Sequence, residues 1–575
     1  MDNWEVAAAL ERMAGLLALK GENSFKVRAY SQAARQIIRL PEPLADLIAG
    51  DRLEELPGIG PVLSAEIREL TGKGQSAFLA RLEEEVAPEL LALFSIPGVG
   101  RKTAGKLVQE LQLENLEQLE QAARRGELAV VPGMGPALQQ NVLDYFQNRD
   151  GEGEGFHRGI VVPLAGQLHS FLERLPAVRC SLPVGAVRRG TETAAEVIIA
   201  AALREEPPEV LGKSLLELPG ISSFQQEGAT YCLETLVGVP VQIALTSAAE
   251  YPVHLARLTG SPEHWKQLQE HAARLGFTLE SNTLSRAGTR IYLPAEADLY
   301  RTLGLQFIPP ELREGRGEIA AAAAGKLPRL VELSHICGDL HIHSEWSDGS
   351  ATIEQIRAAA GARGYQYIAI TDHSPSLKIA GGLSEERLLR QIELIERLRR
   401  KEGCHILTGS EVDILADGSL DLPDELLERL DLVIASVHSN FRQSRAEMTA
   451  RICRAMEHPA VHLIGHPTGR LLGSRGPYRV DVEQLIEKAA QTGTALEINA
   501  SPQRLDLSEK YMSLARRKGV RLAVNTDAHS TATMADMVYG VTAARRGRLE
   551  RSDLLNTLSL AQLQEALSEK RSGRK

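Results

Sequence analysis

From residue 336 onward, short apolar runs alternate with helical stretches, and nearly every run ends in a residue type that binds metals. The first run, residues 336–340, leads into His341-Ile342-His343, with Asp348 just downstream. Later runs end at Ile370, Thr408, Ala435, Ile464, Ile498 and Val524, with helical stretches such as 385–400 and 481–491 between them. Behind those ends stand Thr371-Asp372-His373, Gly409-Ser410-Glu411, Ser436-Val437-His438, Gly465-His466-Pro467 and Asn525-Thr526-Asp527-Ala528-His529. Alternating βα units predict a parallel sheet or barrel. Active sites of such barrels form at the C-terminal ends of the strands. Closure would therefore bring all of these clusters onto one rim.

The resulting set is His341, His343, Asp348, His373, Glu411, His438, His466, Asp527 and His529. Of the 15 histidines in the chain, ten lie at or after His335, which is the imbalance such a rim would create. One histidine at a strand end is ordinarily a satisfied polar residue. Nine ligand-type residues at corresponding places argue for a site. Imidazole with carboxylate suits Zn, Mn or Fe. One ion takes about four to six ligands, so this set, with bridging carboxylates, implies two or three divalent ions. Clustered metals polarise a phosphoryl oxygen, generate hydroxide at neutral pH and stabilise attacking and leaving oxygens, which suits phosphate-ester hydrolysis. Asp348, Glu411 and Asp527 would hold or bridge the ions. Arg470, just after His466-Pro467-Thr468-Gly469, could pair with a phosphate oxygen. His405, His458 and His462 fall outside the pattern and read as ordinary surface or core residues.

These segments resemble the PHP (polymerase and histidinol phosphatase) superfamily over about residues 336–570. Asp339-Leu340-His341-Ile342-His343, Thr371-Asp372-His373, Gly409-Ser410-Glu411-Val412-Asp413 and Asp527-Ala528-His529 carry the resemblance. It implies a distorted (β/α)7 barrel with a trinuclear Zn or Mn site in a domain spanning 336–575.

Residues 1–150 read as helical, with apolar spacing near 3.6. Three segments repeat there: Leu56-Pro57-Gly58-Ile59-Gly60-Pro61, Ile96-Pro97-Gly98-Val99-Gly100-Arg101 and Val131-Pro132-Gly133-Met134-Gly135-Pro136. Each looks like a helix-hairpin-helix turn. Paired glycines permit positive φ and close approach, so backbone N–H groups can face a DNA phosphate. Gly58, Gly60, Gly98, Gly100, Gly133 and Gly135 are thus candidate DNA contacts, with Arg101 and Lys102 adding charge to the second turn. Such contacts matter because the net charge is −10, whereas a protein that grips DNA by bulk electrostatics is basic.

Residues 151–315 change character. Short β-like runs appear at 196–199, 229–232 and 240–244, and the segment reads as mixed α/β. Residues 316–335, with Ala320 to Ala324, Gly325 and Pro328, read as a linker that can be partly helical. Val184-Gly185-Ala186-Val187-Arg188-Arg189-Gly190 resembles the palm motif of family X DNA polymerases, and Thr259-Gly260-Ser261 a later one. Phe25-Lys26-Val27-Arg28-Ala29-Tyr30 resembles the opening of that family's 8-kDa domain. With the hairpins and the PHP segments, the order is similar to that of bacterial family X polymerases over nearly the whole chain. The resemblance implies a palm and thumb, with Arg188 and Arg189 as phosphate contacts.

Departures from the family pattern carry as much weight. The resemblance implies three palm aspartates holding two Mg²⁺ ions, and the matching positions here are Glu196, Ile198 and Gln242. Isoleucine cannot bind a metal, and one carboxylate cannot replace three in two-metal transfer. Ala186 replaces a phosphate-binding serine and Trp265 an asparagine. Glu66 replaces the lyase lysine, and a carboxylate forms no Schiff base. Nucleotidyl transfer, palm Mg²⁺ and lyase activity are therefore expected to be lost.

The expected protein is a DNA-repair nuclease. Its helical and palm-like body would hold gapped, nicked or 3′-recessed DNA, and its barrel would act as a metal-dependent 3′–5′ exonuclease, with phosphatase or abasic-site action also open. An active gap-filling polymerase with a proofreading barrel, a non-catalytic DNA scaffold and a small-molecule phosphatase are the alternatives. No apolar run approaches the ~20 residues of a membrane helix. The five cysteines form no CxxC pair. A cytoplasmic, nucleoid-associated setting is expected, with no membrane partner. Protein partners are not readable from the sequence.

Overall fold

In the computed structural model, the described residues are 3–572 apart from 39, 41–42, 57, 97–98, 132–133, 136–137, 140–141, 144–154, 205–214, 216–220, 236–237 and 474. Gly98 and Gly133 lie outside the described residues.

The helix Asn3–Leu19 is apolar nearly all round and sits at the centre of the N-terminal unit, with Leu10, Met13, Leu16 and Leu17 fully buried. An all-round apolar helix belongs in a core. Ser24–Ile38, Ala77–Glu85 and Arg101–Glu110 pack around it. Gly58 adopts φ +83° and Gly60 caps Pro61–Lys73 at its N-terminus, while Gly100 does the same for Arg101–Glu110.

The next unit packs helix Arg158–Arg174 on a five-stranded sheet. Its strands are β1 (Val178–Pro183), β2 (Val197–Leu203), β3 (Ile221–Glu227), β4 (Thr230–Thr235) and β5 (Val241–Ser247), in the order β1-β2-β5-β4-β3. β2 and β5 run parallel, with Ile198 opposite Gln242. Helices Tyr251–Thr259 and Pro262–Arg274 follow, then a small antiparallel meander of β6 (Phe277–Leu279), β7 (Leu284–Arg286) and β8 (Thr289–Ile291). The stretch read as a linker is partly folded into this unit. Glu318–Ala323 is helical, and its Ile319 and Ala322 share a core with Leu268 and Leu299. Composition showed an alanine run, but an alanine helix still offers an apolar face once a partner is present.

The last unit is a barrel of seven parallel strands hydrogen-bonded in sequence order. They are β9 (Gly338–Ile342), β10 (Tyr367–Ile370), β11 (His405–Asp413), β12 (Leu432–Ser436), β13 (Leu463–Ile464), β14 (Ala495–Asn499) and β15 (Leu522–Asn525). A parallel bridge between Ile342 and Ala528, with His343 N donating to Ala528 O at 2.9 Å, brings the ends of the ring together. The strands are buried on both faces, which is why most of them read as largely apolar runs. Leu340, Tyr367, Leu407, Leu432, Leu463, Ala495 and Ala523 fill one end together with Leu563 and Leu567 of the C-terminal helix Leu560–Ser572. The opposite end receives the polar residues.

Candidate metal centre

Side-chain alternation decides what enters the barrel. In β14, Ala495 belongs to the interior cluster, while Leu496 and Ile498 pack outward against the surrounding helices. Glu497 and Asn499 share the inward phase of Ala495. The same logic, applied at each strand's C-terminal end, brings all nine ligand-type residues to one mouth. Three overlapping groups have ligand atoms within 4.8 Å of one another: His343 with Asp348, His373 and His529; His341 with His343 and Asp527; and His373 with Glu411 and His438. His466 joins them through Glu411, its Nε2 lying 2.9 Å from Oε1. His343 stacks between His373 and His529, with ring centroids 4.4 Å apart in both pairs.

The donor set fits cations. Buried polar atoms are nearly always hydrogen-bonded, yet His341 Nε2, His343 Nδ1, His373 Nδ1, His466 Nδ1 and Glu411 Oε2 have no hydrogen-bond partner. His373 Nδ1 approaches Glu411 Oε2 at 3.0 Å and His341 Nε2 approaches it at 3.4 Å, outside hydrogen-bond geometry. Buried lone pairs gathered in overlapping groups without hydrogen-bond partners are what shared ions satisfy. Imidazole with carboxylate selects divalent transition metals over Mg²⁺ or Ca²⁺.

Protons take the place of cations where none is bound. Burial alone would lower the His373 and His438 pKa values, but Glu411, with Asp348 beside His373 and Asp413 beside His438, raises them to about 10 and about 9. Burial opposes protonation of His341 too, yet Glu497, Glu411 and Asp527 hold it well above the ordinary value. His343 goes the other way, lowered to about 3 by burial and by the neighbouring His529 and His373. Burial works against the charges of Glu411 and Asp527, but the surrounding imidazoles keep both well below the carboxylate range.

A second layer orients these ligands, and the ligand pattern in the sequence did not reveal it. His341 Nδ1 donates to Glu497 at 2.7 Å, and Glu497 also accepts from His466 N at 2.7 Å and Asn525 Nδ2 at 3.0 Å. His438 Nδ1 donates to Asp413 at 2.5 Å. Such partners fix the tautomer and ring direction of a metal-binding histidine. The available signal for Glu497 was a fully buried acid inside an apolar strand, in phase with Ala495. Arg504 Nε lies 3.4 Å from Asp527 Oδ2, and Asn499 Nδ2 donates to the same oxygen at 3.1 Å. His462 lies apart, accepting from Val433 N at 3.1 Å, and burial lowers its pKa to about 3.

Several expected phosphate contacts are committed elsewhere. Arg470 does not face the mouth. It pairs with Glu192 at 2.8 Å and donates to the carbonyls of Arg504 (2.9 Å) and Leu505. Arg188 makes a bidentate pair with Glu296 at 3.0 and 2.6 Å and bonds Thr259. Arg189 is held by Glu314 at 3.0 Å and by the carbonyl of Thr259. Arg101 bonds Ser31 at 2.5 Å and pairs with Glu11. Each side chain reaches an acid remote in sequence, so local motifs could not reveal the pairing. Lys102 is exposed, and a Cβ added at Gly58, Gly60, Gly100 or Gly135 would meet nothing within 4 Å. Those backbones are sterically open to a ligand.

The palm positions do come together. Gln242 Nε2 donates to Glu196 Oε2 at 2.8 Å beside Ile198. The amide takes up a carboxylate oxygen that a cation would otherwise use.

Comparison with known proteins covers every unit. Residues 1–76 match a "Helix-hairpin-helix domain" family, 50–113 a "SAM-like Helix-hairpin-helix tandem" and 89–152 a "Helix-hairpin-helix motif". Residues 254–314 match a "DNA polymerase beta thumb" and 339–501 a "PHP domain". A "DNA polymerase/3'-5' exonuclease PolX" of Bacillus subtilis is 36% identical over 566 residues, covering 97% of this chain and 98% of that protein. A "Probable phosphatase" of Syntrophotalea carbinolica is 31% identical over 228 residues, which is 38% of this chain and 90% of that protein. Another from Acetivibrio thermocellus is 30% identical over 200 residues, covering 33% and 78% respectively.

Proposed function

Because the chain belongs to the PolX family of DNA polymerase/3'-5' exonucleases, we propose that it removes nucleotides from DNA 3′ ends at the barrel mouth, and that its palm no longer transfers nucleotides. The observation that carries the first half is the convergence of unpaired, buried imidazole and carboxylate atoms at one end of the barrel. Two or three divalent ions, Mn²⁺ or Zn²⁺ with Fe²⁺ also suited, would supply a polarised phosphoryl oxygen and an ionised water there. His341, His343, Asp348, His373, Glu411, His438, His466, Asp527 and His529 would hold them, and Glu411 and Asp527 each face several of these histidines. Asp413 and Glu497 hold the tautomers of His438 and His341. Arg504 presents its guanidinium at Asp527, where a phosphate oxygen can share it.

The second half rests on Glu196, Ile198 and Gln242, where one carboxylate is already taken by an amide. The helical unit and the palm-like body would then hold DNA, gapped, nicked or 3′-recessed, with the open hairpin backbones at Gly58, Gly60, Gly100 and Gly135 facing phosphates. No helix among the described residues is long and apolar enough to cross a membrane. The cytoplasm, at the nucleoid, is the setting where such a protein meets its substrate.

The two probable phosphatases match 38% and 33% of this chain, so substrate choice is the point to test. A 5′-labelled oligonucleotide and 4-nitrophenyl phosphate are offered to the Mn²⁺-loaded protein. Stepwise shortening of the oligonucleotide from its 3′ end is expected. Monoester hydrolysis with an untouched oligonucleotide would contradict the proposal.

A further inference from the structure

We propose that Glu192 of the palm-like unit is a positioning residue of the barrel's hydrolytic site, acting through Arg470 on the loop that carries Arg504 against Asp527. Arg470 is largely buried, and Glu192 is the acid paired with it, at 2.8 Å. The same guanidinium clamps the backbone of the loop around Arg504 by donating to the carbonyls of Arg504 and Leu505. The two barrel loops are laced together at this crossing. Thr468 N, Thr468 Oγ1 and Gly469 N all donate to Asp506 Oδ2, at 2.7, 2.8 and 3.0 Å. One loop begins at the ligand His466, and the other places Arg504 Nε 3.4 Å from Asp527 Oδ2. Leu505 is held at φ +43° in the middle of this crossing, a backbone state a leucine adopts only when its surroundings impose it.

Glu192 therefore belongs to the palm by chain order and, by contact through Arg470, to the loops that support the barrel mouth. Without it, a buried guanidinium loses its counter-charge and is left to the attraction of Asp506, the other acid that acts on it. A shift there would release the hydrogen bonds that hold the two loops in register. A palm-like unit without its own chemistry would thus still be needed, as a wall of the hydrolytic site. A second contact of this body with the barrel offers a control: Glu314, in the thumb-like segment, pairs with Arg189 and with Arg546 of the barrel unit.

This inference rests on the hydrolytic reading of the barrel, so the test uses both a single-stranded oligonucleotide and bis(4-nitrophenyl) phosphate, a small diester that needs no DNA grip. Glu192→Ala, Glu192→Asp and Glu314→Gln are compared with the wild type in Mn²⁺, with bound metal counted by mass spectrometry. Glu192→Ala is expected to lower kcat about tenfold on both substrates, as loss of an orienting partner does, with KM within about twofold and metal content unchanged. Glu192→Asp is expected to recover most of that loss and Glu314→Gln to show none. Unchanged kcat in Glu192→Ala, a KM effect on the oligonucleotide alone, or an equal kcat loss in Glu314→Gln would overturn the proposal. If Glu192→Ala does not fold, Glu192→Gln takes its place under the same criteria. A wild type that cleaves the small diester but not DNA would refute the DNA reading and leave the Glu192 effect measurable.

Discussion

The barrel mouth and the palm both place carboxylate at the positions where a metal is expected, yet they treat lone pairs in opposite ways. At the mouth, four imidazole nitrogens and one carboxylate oxygen are buried with no hydrogen-bond partner. In the palm, the single carboxylate at the expected metal positions accepts from Gln242 at 2.8 Å and lies beside an isoleucine. A buried group without a partner costs roughly 1–3 kcal/mol, so such groups persist together only where something else satisfies them. A site that has no further use for a cation can instead satisfy itself. Unmet bonding capacity, more than the presence of acids, separates the two regions.

The largest effect expected from this contrast is at the ligands. His341→Ala or Asp527→Asn should lower phosphodiester hydrolysis at least about a thousandfold. Each should also lower bound metal, read by elemental analysis. Glu196→Ala should leave both unchanged, and a comparable loss from that substitution would erase the distinction between the regions.

Next in size is the layer behind the ligands. Asp413→Asn should reduce metal affinity or activity about 10- to 100-fold, because the amide no longer fixes the His438 tautomer. Titration of Mn²⁺ into stripped protein, followed by activity, reads this directly.

Protons supply a third handle. In stripped protein His373 and His438 stay protonated to about pH 10 and about 9, so loading at pH 7.5 must expel those protons. Calorimetry in two buffers of different ionisation enthalpy should show proton release, and apparent affinity should rise with pH up to about 9–10. The sign for stability is opposite. Raised imidazole values stabilise the stripped fold below the unfolded value of about 6.5, and that contribution disappears as pH rises through about 9–10. Metal uptake without proton release would contradict the description of the mouth.

The smallest effect belongs to the palm. Gln242→Ala should cost about 1 kcal/mol of stability through the lost hydrogen bond to Glu196, visible in denaturant melts, with no change in hydrolysis.

The barrel was legible in the sequence because each ligand follows directly on an apolar run, so strand order alone placed the residues on a rim. The family pattern likewise pointed to Glu196, Ile198 and Gln242, which adjacent parallel strands bring together. Glu497 and Asp413 were not legible as supports, since a ligand's partner depends on which strand faces which. Arg188, Arg189 and Arg470 misled for a related reason. A long guanidinium side chain chooses among acids across the fold, and Glu296, Glu314 and Glu192 are each remote from the motif that suggested DNA. The alanine-rich stretch around Glu318 showed its composition but not its packing, since that depends on the core it joins.

The most direct test of the contrast between mouth and palm is a labelled primer on a gapped template, incubated with Mn²⁺ and all four dNTPs, using wild type and His341→Ala. Shortened products alone, absent in the variant, are expected. Extended products that persist in the variant would contradict the inert palm and mean that Glu196 finds other partners for its metal.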